Sequence, residues 1–196
     1  MIARKPGRPA DGKTIAKDAI LADALALLSS EGVDGLTMRA LAARVGITPM
    51  TIYHHFGDRD GLIRELAELV YAGVTVPTTG DALARAQGLL LGYHAKVMLH
   101  PSLTSAIFGR PVLLPAEARR ITETLISLLR ESGLSSERAL RWAYVLIDYA
   151  HGAALAIAAQ SVDDGPREDE NPAEPDGFEL GLGELMDALR RHSNRF

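Results

Sequence analysis

The sequence predicts an all-α fold of about nine helices, because three observations agree. Apolar residues recur at the three-to-four-residue spacing of a helix in successive segments, whereas no segment alternates apolar and polar residues as a half-buried strand does. Helix-capping and helix-ending residues bracket those segments. Nearly half of the 196 residues are hydrophobic, which suffices for a packed core and argues against global disorder.

The first predicted helix is amphipathic. Thr14 supplies a capping hydroxyl at its start, and Gly32 follows its end near Ser30. Its apolar residues fall at i, i+4, i+7 and i+8, which places them on one face. They are Ile20, Ala24, Leu27 and Leu28.

The next two predicted helices are joined by a tight turn. The first is capped by Thr37, and Gly46 makes the turn because glycine adopts positive φ at little cost. The second is capped by Thr48, with Pro49 at its first position, where no amide hydrogen is needed. Gly57 ends this second helix, which is therefore only two turns long.

Further helices are predicted along the rest of the chain. They run from a cap at Asp58 to about Gly73, from Asp81 to Leu99 before Pro101, from Ser102 to Phe108, from Ala116 to Ser132, from Ser135 or Ser136 to about Gln160, and from Phe178 to His192. Residues 161–177 are acidic and rich in proline and glycine, which indicates a mobile loop.

Charge is distributed unevenly along the chain. The net charge is −4 overall, but residues 1–17 carry +4, residues 18–60 carry −3 and residues 61–196 carry −5. The positive charge lies next to the two closely spaced helices, and a local basic patch is sufficient for binding to nucleic acid.

Several classes of site and location are excluded or disfavoured. Cysteine is absent, so disulfides, thiolate zinc sites and cysteine nucleophiles are excluded. No nucleophile–base motif, phosphate loop or metal signature is present, so neither an enzyme nor a cofactor is predicted. The basic residues 2–13 are not followed by an apolar run, so we expect no secretory signal and a cytoplasmic protein.

Residues 36–62 predict a helix-turn-helix, in which the second helix lies in the DNA major groove. That helix is too short and too polar on one side to serve only as a core helix; the alternative is a short surface helix in a bundle. The predicted small core consists of Leu36, Leu41, Ala42, Val45, Ile47, Ile52 and Phe56.

The predicted DNA contacts follow from position. The N-terminal residues of a recognition helix meet base edges, and here they are Thr48, Pro49, Met50 and Thr51. Side chains that reach phosphate or base from the same helix are Tyr53, His54 and His55. Residues that would hold the DNA backbone from the neighbouring helices are Thr37, Arg39 and Arg59.

This segment resembles the tetracycline-repressor (TetR) family of bacterial transcription regulators over roughly residues 14–70. The matching residues are Gly35, Leu36, Thr37, Arg39, Leu41, Ala42, Val45, Gly46, Ile47, Thr51, Ile52, Tyr53, His55, Phe56, Arg59 and Leu62. The resemblance implies a homodimer that places two recognition helices in successive major grooves of a palindromic double-stranded operator. It also implies a C-terminal domain that binds a small-molecule effector, whose binding usually releases the DNA.

The chain is accordingly divided into three parts. Residues 1–13 form a flexible basic arm, residues 14–60 the helix-turn-helix domain and residues 61–196 the effector-binding and dimerisation domain. In the arm, prolines keep the chain extended and arginines favour a narrow minor groove, so Arg4, Lys5 and Arg8 are predicted to contact DNA. The alternative for the arm is a disordered tail that contacts nothing.

The helix around residues 142–159 is apolar nearly all round, which predicts burial on all sides. Its length approaches that of a membrane span, but Asp148 and the adjacent Arg138 and Arg141 argue against insertion, and no membrane partner is predicted. This helix and the last one are predicted to form a four-helix interface between two chains. The alternative is that both helices pack within one chain.

Asp148 and His151 share a helix face, which Tyr144 also joins. Three hypotheses remain open: a metal site completed by a further histidine, a buried hydrogen-bonded set, or polar anchors in a ligand pocket. The predicted ligand-binding residues are Tyr93, His94, Val97, Met98, Phe108, Trp142, Val145, Asp148, Tyr149 and His151, with Leu91 and Ile126 as further apolar candidates.

The leading hypothesis is a ligand-responsive dimeric transcription regulator, with repression as the expected effect. A second is a DNA-binding regulator without a small ligand, and a third is an all-α enzyme with an incidental helix-turn-helix. A deep apolar cavity would favour the first over the second, whereas closely paired titratable groups of shifted pKa in a pocket would favour the third. The effector and the operator sequence do not follow from the residues.

Overall fold

The computed structural model describes residues 16–107, 115–163 and 177–193, and these residues form α-helices and no strand. The all-α prediction is confirmed. The helices are α1 (Lys17–Gly35), α2 (Met38–Val45), α3 (Pro49–Phe56), α4 (Arg59–Tyr71), α5 (Ala82–Leu99), α6 (Pro101–Ile107), α7 (Ala116–Glu131), α8 (Ser136–Asp163) and α9 (Gly177–Ser193).

Five helices begin at predicted capping side chains. The cap oxygens accept backbone amides three residues on: Thr37 from Ala40, Thr48 from Thr51, Asp58 from Gly61, Asp81 from Ala84 and Ser135 from Arg138. Gly46 adopts φ 77° at the turn between α2 and α3, and Gly32 interrupts α1 with φ 69°. The capping predicted for Thr14 falls outside the described residues.

Two predicted boundaries are corrected. Residues 161–163 belong to α8 rather than to a loop, because the first helix-breaking residues after Gln160 are Gly165 and Pro166. The remainder of the predicted loop, residues 164–176, lies outside the described residues. Pro101 begins α6 instead of only ending α5, since proline is well accommodated in the first turn of a helix.

The helices pack as two groups joined by α4 and α6. Helix α2 packs against α1 and α3, whereas α5, α7 and α8 pack against one another and α9 lies on α5 and α8. Helix α4 contacts α1 and α3 on one side and α5, α6 and α7 on the other. Residue 60, where the sequence divides two domains, lies inside α4. None of the helices in the described part of the chain combines the length and apolar character of a membrane span.

Arg59, at the start of α4, hydrogen-bonds within the protein. Its Nε donates to the carbonyl of Leu36 at 2.8 Å, and its Nη2 donates to the carbonyl of Val33. These carbonyls lie where α1 ends, so the guanidinium attaches α4 to the junction between α1 and α2. Two of the five N–H groups of the guanidinium are thus bonded to carbonyls of the same chain, a pairing that sequence position alone does not reveal. That Arg59 also holds the DNA backbone stays a prediction.

Replacing Arg59 tests this structural role. We expect Arg59→Ala to lower the free energy of unfolding by about 1–2 kcal/mol, because hydrogen bonds to a charged donor are lost at a partly exposed site. The measurement is urea denaturation followed by circular dichroism. Arg44→Ala is the matched control: its 3.1 Å ion pair with Asp23 is exposed, and we expect a change within about 0.5 kcal/mol. Equal decreases in the free energy of unfolding in the two variants would contradict the structural role of Arg59.

Candidate functional site

Helix α3 has two chemically different faces. Ile52 and Phe56 point inward and are 0% and 7% exposed, whereas Met50 and Tyr53 point outward and are 75% and 46% exposed. The inner face of α3 therefore packs on the core, and its large outer side chains are free to contact a partner. A shallow depression on this surface is lined by Thr48, Met50, Thr51, Tyr53 and His54.

The predicted DNA-contacting residues are distributed around this face. Thr48, Pro49 and His54 are exposed, and Arg39 is exposed on α2. His55 and Thr51 are half-buried, and the Thr51 hydroxyl lies 3.0 Å from that of Thr48. Thr37 is exposed but uses its hydroxyl to cap α2. The predicted arm residues Arg4, Lys5 and Arg8 lie outside the described residues.

A cavity of about 340 Å³ lies among α4, α5, α6, α7 and α8. This volume is near the lower end of the range of about 300–1,000 Å³ found for small-molecule sites. The described wall consists of Tyr71, Tyr93, Thr104, Ile107, Ala118, Arg119, Ile121, Thr122, Glu123, Ile126, Tyr144, Ile147, Asp148 and His151.

The wall includes part of the predicted ligand-binding set. Tyr93, Asp148 and His151 line the cavity, as do Tyr144 and Ile126, whereas Phe108 lies outside the described residues. The other predicted residues are not among the described lining residues: His94, Val97, Met98, Trp142, Val145 and Tyr149.

The physical reason for this correction is that those six side chains have other surroundings. His94 stacks on Phe178 of α9 with ring centroids 3.7 Å apart, and Tyr149 stacks on the same ring at 5.2 Å. Val97 is fully buried in the core, and Val145 is 46% exposed on the outer face of α8. Met98 and Trp142 pack half-buried against the core.

The sequence reasoning missed most of the wall that α7 contributes. Ile121, Thr122 and Glu123 line the cavity, yet α7 is an ordinary amphipathic helix in sequence. Thr104 on α6 was also missed: it is 3% exposed and lines the cavity, but its local sequence does not distinguish it from a threonine on the surface.

The inner end of the cavity is formed by hydrogen-bonded side chains from four helices. Thr104 Oγ1 on α6 and Tyr71 Oη on α4 are 3.1 Å apart. The ring centroids of Tyr71 and of Tyr93, on α5, are 5.4 Å apart, and Tyr93 Oη lies 2.6 Å from His151 Nε2 on α8. We refer to Thr104, Tyr71, Tyr93 and His151 as the hydroxyl chain. Of the predicted set, His151 takes part, with Tyr93 on another helix as its partner, whereas Asp148 and Tyr144 are exposed.

The titratable groups of the hydroxyl chain are held neutral by their environment. Burial raises the pKa of Tyr71 and of Tyr93 above the usual value for a phenol. Burial also lowers the pKa of His151, and the nearby Asp148 only partly offsets this. At neutral pH the inner end therefore carries hydroxyl and imidazole groups without formal charge.

The charged residues of the cavity lie at its outer end. Arg119, Glu123 and Asp148 are exposed, and Tyr144 is 54% exposed beside them. Within the described residues, no group of three or more histidine, aspartate or glutamate side chains is placed to hold a metal ion. The cavity wall thus has neutral polar groups at its inner end, aliphatic side chains along its sides and charged groups at its outer end, which is the mouth of the cavity.

Helix α4 is clamped to α7, which forms one side of the cavity. The carboxylate of Glu68 accepts the backbone amides of Ala116 and Glu117 at 2.6 and 2.9 Å. Arg120 donates to the carbonyl of Val74, just after α4, at 2.7 Å. These charge-assisted bonds satisfy amides at the start of α7 that have no partner inside the helix.

The outer face of α8 is apolar and open. Leu140, Tyr144 and Val145 are 45%, 54% and 46% exposed, and Gly152 has open space beside it. On α9, Leu182, Met186 and Leu189 of the predicted stripe are at most 2% exposed, Leu185 is half-buried and Leu180 is 56% exposed. Both helices therefore have apolar side chains on the surface of the single chain, and their role in an interface between chains stays a prediction.

Comparison with known proteins places these features in a family. Residues 20–66 match the family described as bacterial regulatory proteins, tetR family. The chain is 28% identical to the class A tetracycline repressor protein from transposon 1721 of Escherichia coli, over 89% of this chain and 90% of that protein. A TetR variant from Acinetobacter baumannii AYE, solved with minocycline, is 25% identical, with a TM-score of 0.71 over 92% of this chain and 97% of that one.

The same fold occurs in BioQ of Mycobacterium smegmatis, with a TM-score of 0.73 and 24% identity over 91% of this chain and 99% of that one. The family match covers α2, α3 and most of α1 and α4, and the structural matches extend over the remaining helices. Residues 20–66 thus match the TetR family of bacterial regulatory proteins, and the chain is similar over most of its length to proteins of that family.

Proposed function

We propose that the chain is a dimeric DNA-binding repressor that dissociates from its operator when it binds a small molecule. The observation that carries the proposal is α3, a short helix with large side chains on its outer face, held by capped turns on both sides. The cavity favours control by a small ligand over a regulator without one. The relatives are regulators rather than enzymes, and such a protein acts on DNA in the bacterial cytoplasm.

Selection of bound duplexes from a random DNA pool, at near-physiological salt, tests the proposed function. We expect enrichment of an inverted repeat, because two identical chains related by a two-fold axis read two identical half-sites. Failure to enrich any sequence, together with weak and steeply salt-dependent binding, would leave only attraction to phosphate and would contradict the proposal.

The outer face of α3 is proposed to read the operator. Tyr53→Ala and Met50→Ala should each weaken binding to the selected duplex about 10- to 100-fold, as expected for loss of a direct contact. Leu69→Ala is the matched control, since Leu69 is a 49% exposed apolar residue on α4, and its affinity should be unchanged. Fluorescence anisotropy measures the affinity, and thermal melting checks the fold. Wild-type affinity in both α3 variants would show that the outer face of α3 does not read the operator.

The open face of α8 is proposed to pair with its copy in a second chain. An apolar patch on the surface of a soluble protein marks an interaction site, and Leu140, Tyr144 and Val145 form such a patch on α8, next to the exposed charged residues Arg141 and Asp148. An interface of this kind fixes the separation of the two α3 helices and hence the operator spacing.

Charges placed on this patch should separate the chains. We expect the double variant Leu140→Glu, Val145→Glu to weaken dimerisation about 100-fold or more, because uncompensated charges buried in an interface are costly. Leu99→Glu is the control, since Leu99 is 67% exposed on α5. Light scattering should find twice the chain mass of 21.0 kDa for the wild type and the control. A stable dimer of the double variant would show that α8 is not the interface.

The clamp between Glu68 and α7 is proposed to couple the cavity to α3. Ligand entry displaces the cavity wall, α7 is part of that wall, and α4 is bound to the first turn of α7. At its other end α4 is attached through Arg59 to the helices that carry α3. A shift of α7 therefore moves α4 and changes the position of the recognition helix.

Weakening the clamp should loosen α3 even without ligand. We expect Glu68→Gln to reduce operator affinity about tenfold, the effect of one lost charged hydrogen bond. It should also broaden the distance distribution between spin labels at Ala43→Cys in the two chains; the absence of native cysteine makes this labelling specific.

The control for the clamp is Glu131→Gln, which weakens an exposed ion pair with Arg85 at 3.1 Å. It should leave both the affinity and the distance distribution unchanged. Identical behaviour of the two variants would contradict coupling through Glu68.

A further inference from the structure

The hydroxyl chain determines which chemical group of a ligand can bind at the inner end of the cavity. Tyr71, Tyr93 and Thr104 are 2%, 5% and 3% exposed, and all three, with His151, line the cavity. They are therefore removed from bulk water yet face the space that a ligand occupies. Buried polar groups in such a position discriminate strongly between ligand groups, because a mismatched partner leaves them without a hydrogen bond.

The hydroxyl chain is adaptable in the direction of its hydrogen bonds. A hydroxyl donates one hydrogen and accepts others, and a neutral imidazole both donates and accepts. Each of its two hydrogen bonds therefore forms with either partner as the donor, so these residues accommodate a ligand group that donates, such as a hydroxyl, or one that accepts, such as a carbonyl. Neither case requires a charge on the ligand.

Among the residues that the structure describes, a carboxylate at the inner end would have no cationic partner. Arg119 is the one lysine or arginine in the described wall, and it is exposed at the mouth together with the carboxylates of Glu123 and Asp148. Moving a charge from water to a site without a counter-charge is costly. The sides between the two ends are aliphatic, with Ile107, Ile121 and Ile147, and match an apolar body.

We propose that the cavity takes a predominantly apolar ligand with an uncharged hydroxyl or carbonyl group, which the hydroxyl chain binds at the inner end, and that it rejects ligands that would bury a carboxylate there. The inference rests on the proposed function, because it specifies the class of effector for the same site. The distinguishing feature is that hydrogen bonding, not an ion pair, orients the ligand.

Three probes that share one ring system test the inference: 2-naphthol, naphthalene and 2-naphthoate, titrated into the full-length protein by calorimetry. We expect 2-naphthol to bind about tenfold more tightly than naphthalene, the value of one hydrogen bond in a site that excludes water. We expect 2-naphthoate to bind more weakly than either. A preference for 2-naphthoate that Arg119→Gln abolishes, or no binding by any probe, would overturn the inference.

Variants assign the preference to the hydroxyl chain. Tyr93→Phe should reduce 2-naphthol binding to the level of naphthalene and leave naphthalene binding unchanged. Tyr149→Phe is the matched control, because this tyrosine lies off the cavity with its hydroxyl 3.5 Å from the carbonyl of Gly177; the preference should persist. Thr104→Val, at the other end of the chain, provides the same test if Tyr93→Phe does not fold. An undiminished preference in a folded Tyr93→Phe or Thr104→Val protein would overturn the inference.

Operator binding by the same samples separates the two proposals. A protein that binds the selected inverted repeat but shows no preference for 2-naphthol retains its proposed DNA-binding function and loses the ligand class. A protein that binds no operator loses the proposed function, while the order of affinities for the three probes still decides the chemistry of the cavity.

Discussion

Burial of α4 is the constraint on which the rest of the structure depends. Leu62, Ile63 and Leu66 have no exposed surface, and the helix that carries them packs between the α1–α3 group and the α5–α8 group. Close-packed interiors transmit displacement because they have little free volume. Arg59 at one end and Glu68 near the other add directional bonds to that packing. Helix α4 therefore connects α3 mechanically to the cavity, although α3 does not line the cavity.

The cavity combines hydrogen-bonded polar groups with apolar walls. Thr104 bonds to Tyr71 and Tyr93 bonds to His151, and these four side chains come from four helices. Buried polar groups stabilise a structure when they are satisfied and destabilise it when they are not. The hydroxyl chain thus keeps an open cavity compatible with a stable fold, and it presents neutral hydrogen-bonding groups to whatever enters.

Much of the fold, but little of the cavity, could be predicted from the residues. Thr37, Thr48 and Asp58 cap helices where expected, because a cap depends only on amides three residues further along. His151 was found as a cavity residue because a polar side chain in an apolar helix is conspicuous. Ile121 and Ile147 were missed, since an isoleucine beside a cavity is indistinguishable in sequence from one that fills a core.

The sequence by itself determined the helical class, the turn at Gly46 and the division of α3 into an inner face with Ile52 and an outer face with Tyr53. These features follow from capping, backbone freedom and helical period, all of which act over a few neighbouring residues. Only the tertiary structure decided that Arg59 bonds to its own backbone, that Leu182 and Met186 of α9 pack inward and that Leu140 and Val145 of α8 stay exposed. Those outcomes depend on which distant segments meet, and the partners of a side chain across a core are set by packing rather than by local pattern.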